Sequence, residues 1–229
     1  MITKAMILAA GFGTRLKPLT DSIPKALVPF RNGTMISHQI EKLKSAGIKS
    51  IAVNAHHFAG QIIEYFRESD FRIEIEVIIE ENILGTGGGI MNAEKFFRGS
   101  GNFLAVNVDV YTDLNISQLI SGTMNIDSVA TLMVQKRKTS RYLEFDEDFE
   151  LVSRIKTEDL KPNYFAFNGM HVISDRIFDL PHPEGYFDII DLYLSLIKSR
   201  KEIIKGFNCG DSVFYDMGKP EVLNELNTT

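Results

Sequence analysis

Short apolar runs alternate with segments of helical period through the first half of the chain. Lys4–Ala9 (KAMILA) is a nearly continuous apolar run that stops at a glycine loop, the pattern of a buried strand. Ile36, Ile40 and Leu43 recur at helical spacing and Gly47 follows them, which predicts a helix over Met35–Ala46. Ser50–Asn54 is the next strand, and Phe58, Ile62, Ile63 and Phe66 mark a second amphipathic helix. Ile73–Ile79 alternates and then runs apolar as a third strand. The glycine cluster Gly85–Gly89 leads into a helix that continues through Phe97. Phe103–Asn107 (FLAVN) is a fourth buried strand, followed closely by Asp109.

Continuous apolar strands alternating with helices predict an α/β fold: a mixed, mostly parallel central sheet with helices on both faces, in three layers. In such sheets ligands bind beyond the carboxyl ends of the strands. The loop after Ala9 and Asp109 both fall at such ends, and Gly85–Gly89 follows a third. The second half is richer in strands, predicted at Ser128–Gln135, Tyr142–Phe145, Leu151–Ile155 and Tyr164–Val172, with an acidic turn at Asp146–Asp148. A helix over Phe187–Lys198, short strands at Ile203–Phe207 and Val213–Tyr215, and a last helix opening near Pro220 complete the pattern. No internal repeat or low-complexity linker interrupts it, so residues 1–229 read as one domain.

Composition narrows the class. The 229 residues are 44% hydrophobic and 24% charged, ordinary for a folded soluble protein. A net charge of -5 argues against a nucleic-acid partner, which would need a basic face. The single cysteine, Cys209, leaves no internal disulfide and no CxxC metal knuckle. The opening MITKAMILAA reads as a strand and not as a signal peptide, and no apolar stretch approaches the roughly 18 residues a membrane helix needs. A cytoplasmic monomer or homodimer without membrane contact is the expectation.

The chemistry concentrates in residues 8–27, LAAGFGTRLKPLTDSIPKAL. Gly11 and Gly13 let the backbone turn tightly with its N–H groups free to face an anion. Arg15 offers a forked cation suited to phosphate, and Lys25, stiffened by Pro24, a compact second charge. Together they predict a polyphosphate site; the competing reading is a plain strand–loop connection with two solvated cations. No GKS or GKT follows the glycines, so this is not a P-loop, and Leu16 replaces the third glycine of a dinucleotide fingerprint.

This segment resembles the N-terminal signature of the sugar-phosphate nucleotidyltransferases: a glycine-rich loop, an Arg directly after G-x-G-T, and a P-K downstream. The resemblance implies a Rossmann-like (GT-A-like) fold, with residues 1–113 as a nucleotide-binding half and 114–229 as a sugar-phosphate-binding half. It implies that Arg15 contacts the NTP phosphates and Lys25 holds phosphate at the reacting centre. Leu8, Ala10, Gly11, Gly13 and Thr14 would frame the nucleotide. So would Gly85, Thr86 and Gly87 of EENILGTGGGI, a stretch that could equally be a flexible surface loop. In that family a Gln or Glu shortly before the loop reads the base edge, and Glu80 stands there. An ionised carboxylate accepts from uracil or guanine and has no donor for cytosine or adenine.

Three further segments extend the resemblance. In LAVNVDVYTD, Asp109 matches the family's magnesium-binding Asp, although Val108 replaces the usual Gly or Ala; Asp113 is expected to cap the following helix. Asp216, in VFYDMGKP, would be the second metal ligand, with a helix-capping role as its rival. In YFAFNGMHV, Asn168 and Gly169 would hold the sugar, with Asn107 beside them. The family's E-K-P is missing before that strand, and Lys156 in RIKTEDLKP is the candidate for its lysine. His56 and His57 lack a third metal ligand at proper spacing and read as structural.

The implied reaction joins the nucleotide of an NTP to a sugar 1-phosphate, with Mg2+ and the release of pyrophosphate. The short enzymes of the family are the nearest in pattern. TGGGI and VNVDVYTD lean toward UTP and an N-acetylmuramate 1-phosphate-like acceptor. GTP-dependent mannose- or heptose-1-phosphate guanylyltransferase, phosphocholine cytidylyltransferase and a non-catalytic nucleotide-binding module are the alternatives.

Overall fold

The computed structural model describes residues 2–123, 126–200 and 202–228. The first half of the chain follows the predicted alternation closely. Strand β1 (Lys4–Leu8) leads into three 3-10 turns, at Thr14–Leu16, Leu19–Asp21 and Lys25–Leu27, and then into a small hairpin, β2 (Pro29–Phe30) and β3 (Gly33–Thr34). Helix α1 (Met35–Ser45) starts at a reciprocal capping box between Thr34 and Ser37, which satisfies two otherwise orphaned N–H groups. Strand β4 (Ser50–Ala55), helix α2 (Ala59–Glu68) and strand β5 (Glu74–Ile79) follow.

Helix α3 (Gly85–Asn92) starts at the first residue of the glycine cluster, so the glycines are not a lead-in loop but the first turns of the helix itself. Their poor intrinsic propensity is overridden by packing. Short α4 (Glu94–Phe97), β6 (Asn102–Asn107), β7 (Val110–Thr112) and α5 (Ile116–Thr123) complete this half. Asn115, not Asp113, caps α5 by accepting from Ser117 N at 2.9 Å; the Asp113 carboxylate accepts from Val213 N at 2.7 Å instead.

The second half contributes β8 (Ala130–Gln135), β9 (Tyr142–Phe145), β10 (Leu151–Ile155), β11 (Tyr164–Ser174), α6 (Ile189–Arg200), β12 (Ile204–Asn208), β13 (Phe214–Asp216) and α7 (Pro220–Thr228). The central sheet is mixed. It is parallel through β6-β1-β4-β5 and again between β8 and β12, while β11 runs against β6, β8 and β9.

Side chains alternate across this sheet into two cores, as the pleat requires. From β1, Ala5 and Ile7 join Ile36, Ile40 and Leu43 of α1 on one face. Met6 joins Phe97, Tyr193 and Leu196 on the other. The result is helix, sheet, helix, in three layers. Among the described residues no helix is long and apolar enough to cross a membrane.

Candidate active site

Two non-local pairings assemble a cluster of charge at the carboxyl edge of the sheet. Asp109 follows β6 and immediately precedes β7, and β7 pairs antiparallel with β13, setting Val110 opposite Asp216. Met217 N then donates to Asp109 O at 2.8 Å. Two carboxylates far apart in sequence are thereby brought to one point. Arg15, in the first 3-10 turn, is anchored by its buried neighbour Leu16 and reaches across with a fork. Its Nη1 donates to Asp216 Oδ2 at 2.6 Å and its Nη2 to Oδ1 at 3.3 Å; Nη2 also lies 3.6 Å from Asp109 Oδ2. Lys25 Nζ donates to Asp109 Oδ2 at 2.6 Å. Gly13 makes room for this lysine: it adopts a left-handed turn (φ 66°), and a Cβ there would come within 2.9 Å of Lys25 Cβ.

The electrostatics follow from this pairing. The hydrogen bond from Arg15 to Asp216 holds the guanidinium pKa above its usual value. Burial would push the Asp216 carboxyl up, but Arg15, the Gly218 N–H and the charge of Lys25 together hold it below the usual carboxylate range. Arg15 and Asp216 therefore stay ionised near neutrality, each neutralising the other.

Two cavities meet at this cluster. The smaller, about 330 Å³, lies over the ends of β1 and β6 and is lined by Leu8, Ala10, Gly11, Gly85, Thr86 and Tyr186 among others. The larger, about 690 Å³, opens between β11 and β13 and includes Arg137, Asn168, Gly169 and Lys219. Arg15, Asn107, Asp109 and Asp188 line both. The expected halves interleave here: Tyr186 and Asp188, from beyond residue 113, border the smaller cavity, and Arg15 borders the larger.

Gly218 sits at the centre of the cluster. A Cβ built on it would lie 2.7 Å from Arg15 Nη2 and Asp109 Oδ2, and 2.9 Å from Asp216 Oδ1. Only a residue without a side chain leaves these groups their present positions. Among the described residues no three His, Cys, Asp or Glu side chains converge on a metal site. Two carboxylates beside a phosphate-sized cavity nonetheless suit Mg2+, which is ordinarily held by one or two carboxylates and completed by substrate phosphates and water.

Several expected residues sit elsewhere, and Glu80 is the most instructive. It is 3% exposed and both its oxygens are engaged: Oε1 accepts from Asn54 Nδ2 at 2.6 Å, Oε2 from Leu84 N at 2.9 Å. Asn54 Oδ1 in turn accepts from Ala9 N at 2.7 Å. Glu80 thus braces the glycine loop from behind and presents no edge to a base. Glu81 is exposed and does not line the smaller cavity.

Gly87 is buried and does not line the cavity either, because it faces the 185–188 loop. A Cβ on Gly87 would meet the Phe187 ring at 2.3 Å, and one on Gly88 the Gly185 carbonyl at 2.3 Å. Gly87 and Gly88 provide close helix–loop packing, while Gly85 and Thr86 at the start of the helix line the smaller cavity. Lys156 borders an adjoining hollow that shares Ser140 and Arg141 with the larger cavity but lies apart from the charge cluster. Thr14 and Gly13 shape the turn behind Arg15 without lining either cavity.

Asn168 and Gly169 lie where β11 loses register with β8, between Phe167 and His171. That irregularity turns them toward the larger cavity. Residues with no motif of their own complete the walls: Arg137 just beyond β8, and Tyr186 and Asp188 before α6. Gly218, beneath the charge cluster, has a readable signal in the Asp-Met-Gly sequence that carries Asp216.

Comparison with known proteins points the same way. The family model described as nucleotidyl transferase matches residues 4–180. The chain is 32% identical over 187 residues to a probable mannose-1-phosphate guanylyltransferase of Oryza sativa subsp. japonica, covering 77% of this chain and 51% of that one. It is 29% identical over 232 residues to the bifunctional protein GlmU of Methanococcus maripaludis, covering 97% and 53%. The chain thus spans about half the length of these curated relatives. Among solved structures, HddC from Yersinia pseudotuberculosis complexed with GMP-PN superposes with a TM-score of 0.79 at 25% identity over 99% of each chain. The match across most of the chain, together with the fold, makes this protein a member of the nucleotidyl transferase family.

Proposed function

We propose that the chain transfers GMP from GTP to a mannose- or heptose-type sugar 1-phosphate and releases pyrophosphate. The observation that carries the reading is the meeting of two cavities at Arg15 and Asp109, with Lys25 on the side of the smaller and Asp216 on that of the larger. One cavity would take the nucleotide and the other the sugar phosphate, with their phosphates abutting at the shared charges. A phosphate oxygen of the acceptor attacks the α-phosphorus in line, a new P–O bond forms, and the bond to the β-phosphate oxygen breaks. The attacking oxygen is already ionised, so no general base is required. The obstacle is repulsion between two polyanions, which Arg15 and Lys25 offset by exchanging their carboxylate partners for phosphate. Mg2+, when bound on Asp109 and Asp216, would add divalent charge to the same neutralisation.

The choice of base rests on relatives. The mannose-1-phosphate guanylyltransferases and the HddC complex with GMP-PN favour GTP over the lean to UTP and an N-acetylmuramate 1-phosphate-like acceptor. Glu80 supports neither base, since its carboxylate is buried against Asn54 and Leu84 and lines neither cavity. A matrix of four NTPs against sugar 1-phosphates, read as pyrophosphate release with and without Mg2+, tests the proposal. GTP with mannose or heptose 1-phosphate should give the fastest release. A preference for UTP with N-acetylmuramate 1-phosphate would overturn the substrate assignment, and the absence of release from every pair would overturn the activity.

A further inference from the structure

We infer that Arg137 is the receptor for the phosphate of the sugar 1-phosphate, an assignment that rests on the transferase reading above. Arg137 stands two residues beyond β8, at the wall of the larger cavity that also holds Arg15, Asp109 and Asp216. Its guanidinium is held from three sides. Nε donates to Asn168 Oδ1 at 3.1 Å, Nη2 donates to the Phe167 carbonyl at 2.8 Å, and the group lies 4.2 Å over the Phe214 ring. Phe214 is two residues before Asp216 on β13, so the platform that orients Arg137 is continuous with the charge cluster. A guanidinium has five N–H donors, and two are used here; three remain for an anion in the cavity.

What sets Arg137 apart is a missing counter-ion on a half-buried, fixed group; Lys138, Arg141 and Lys219 line the same cavity but are exposed. Among the described residues no carboxylate pairs with it, and the attraction it receives from Asp216 acts at longer range. Burial disfavours its charge accordingly. A fixed, half-buried cation without a partner is an electrostatic cost that a phosphate dianion relieves on arrival. Two other arginines of this cavity wall have carboxylate partners. Arg15 is forked onto Asp216, and Arg154 is paired with Asp191 at 2.5 Å. Lys156, the sequence candidate for this role, is outside the cavity. Forked donors on a rigid mount suit a phosphate ester better than a mobile lysine would.

The test is calorimetric binding of mannose 1-phosphate and of inorganic phosphate to the full chain, with steady-state kinetics where turnover is found. Arg137→Gln should weaken sugar phosphate binding by about 10- to 100-fold, the loss of charge-assisted hydrogen bonds to a phosphate, with GTP binding unchanged. Arg137→Lys should recover part of the loss, and unchanged GTP affinity in both variants reports an intact fold. Unaltered sugar phosphate binding by Arg137→Gln overturns the assignment alone, whatever the wild type turns over. A loss that falls on Lys156→Gln instead overturns it equally. Failure of the wild type to bind any phosphate ester overturns it together with the substrate class.

Discussion

Replacing Gly218 with alanine adds one methyl group at the point where Arg15, Asp109 and Asp216 converge. The backbone at Gly218 lies outside the left-handed region, so the new residue is conformationally acceptable and its effect is spatial. The methyl carbon would sit 2.7 Å from Asp109 Oδ2 and Arg15 Nη2 and 2.9 Å from Asp216 Oδ1. Relaxing these to a carbon–oxygen contact of about 3.4 Å requires each charged group to retreat by roughly 0.5–0.7 Å. Misplacement by about 1 Å at a reacting centre costs about 100-fold, so kcat/KM should fall by about 10- to 100-fold, a rise in barrier of about 1.4–2.7 kcal/mol. Stability should fall less than activity, because the methyl group meets only the ends of side chains that can give way, and alanine restricts the unfolded chain more than glycine does. Pyrophosphate release and thermal melting, measured on the same preparation, separate the two effects. Full activity in Gly218→Ala would refute the claim that these three groups act from their observed positions. A collapse of the melting temperature would show instead that Gly218 is needed for the fold.

Three other substitutions probe different parts of the molecule. Lys25→Ala removes the cation on Asp109 and should raise the barrier to turnover by about 2–4 kcal/mol, as loss of one charge-stabilising donor does; undiminished pyrophosphate release would contradict its role. Gly87→Ala drives a methyl group to 2.3 Å from the Phe187 ring, and overpacking of this kind should destabilise the chain by about 1–3 kcal/mol in denaturant unfolding. An unchanged unfolding midpoint would show that the 185–188 loop is not seated on α3. His171 is fully buried beside Tyr193, its ring nitrogen 3.0 Å from the hydroxyl, and burial pushes its pKa from 6.5 down to about 3. The unfolded chain therefore takes up this proton first on acidification, so stability is full above pH 6.5 and declines as pH falls toward 3. His171→Phe should cost stability at pH 7 by stranding the Tyr193 hydroxyl, yet narrow the difference between pH 7 and pH 5. His38, depressed to about 4, leaves a residual slope of the same sign. A difference as large as in the wild type would rule out His171 as a source of the pH dependence.

What could be read in advance was what a short stretch of backbone decides by itself. The strand ends at Leu8 and Asn107 and the tight turn before Arg15 follow from local apolar runs and glycine placement, and these fix the edge of the sheet where the charges gather. Glu80 has the type and chain position of a base reader, whereas in the structure its carboxylate is directed onto Asn54 of the neighbouring strand. Gly87 and Gly88 of α3 pose a related ambiguity: glycine signals that something approaches closely, but not whether it is a ligand or, as here, Phe187 and Gly185 arriving from a loop 97 to 100 residues later. Lys156 filled the place of a lysine absent from the expected motif, while the larger cavity already held a guanidinium fixed by Asn168, Phe167 and Phe214, three residues from two different strands. In each case the difference lies in a contact between distant segments. The chemistry common to the family is carried by strand ends and survives translation from one dimension to three. On the proposed reading, selection of one sugar phosphate over another would depend on walls built by the β8–β9 connection, the β11 irregularity and β13, whose mutual placement no local pattern encodes. Substrate choice is therefore best sought in substitutions along those three segments, with the glycine loop left untouched.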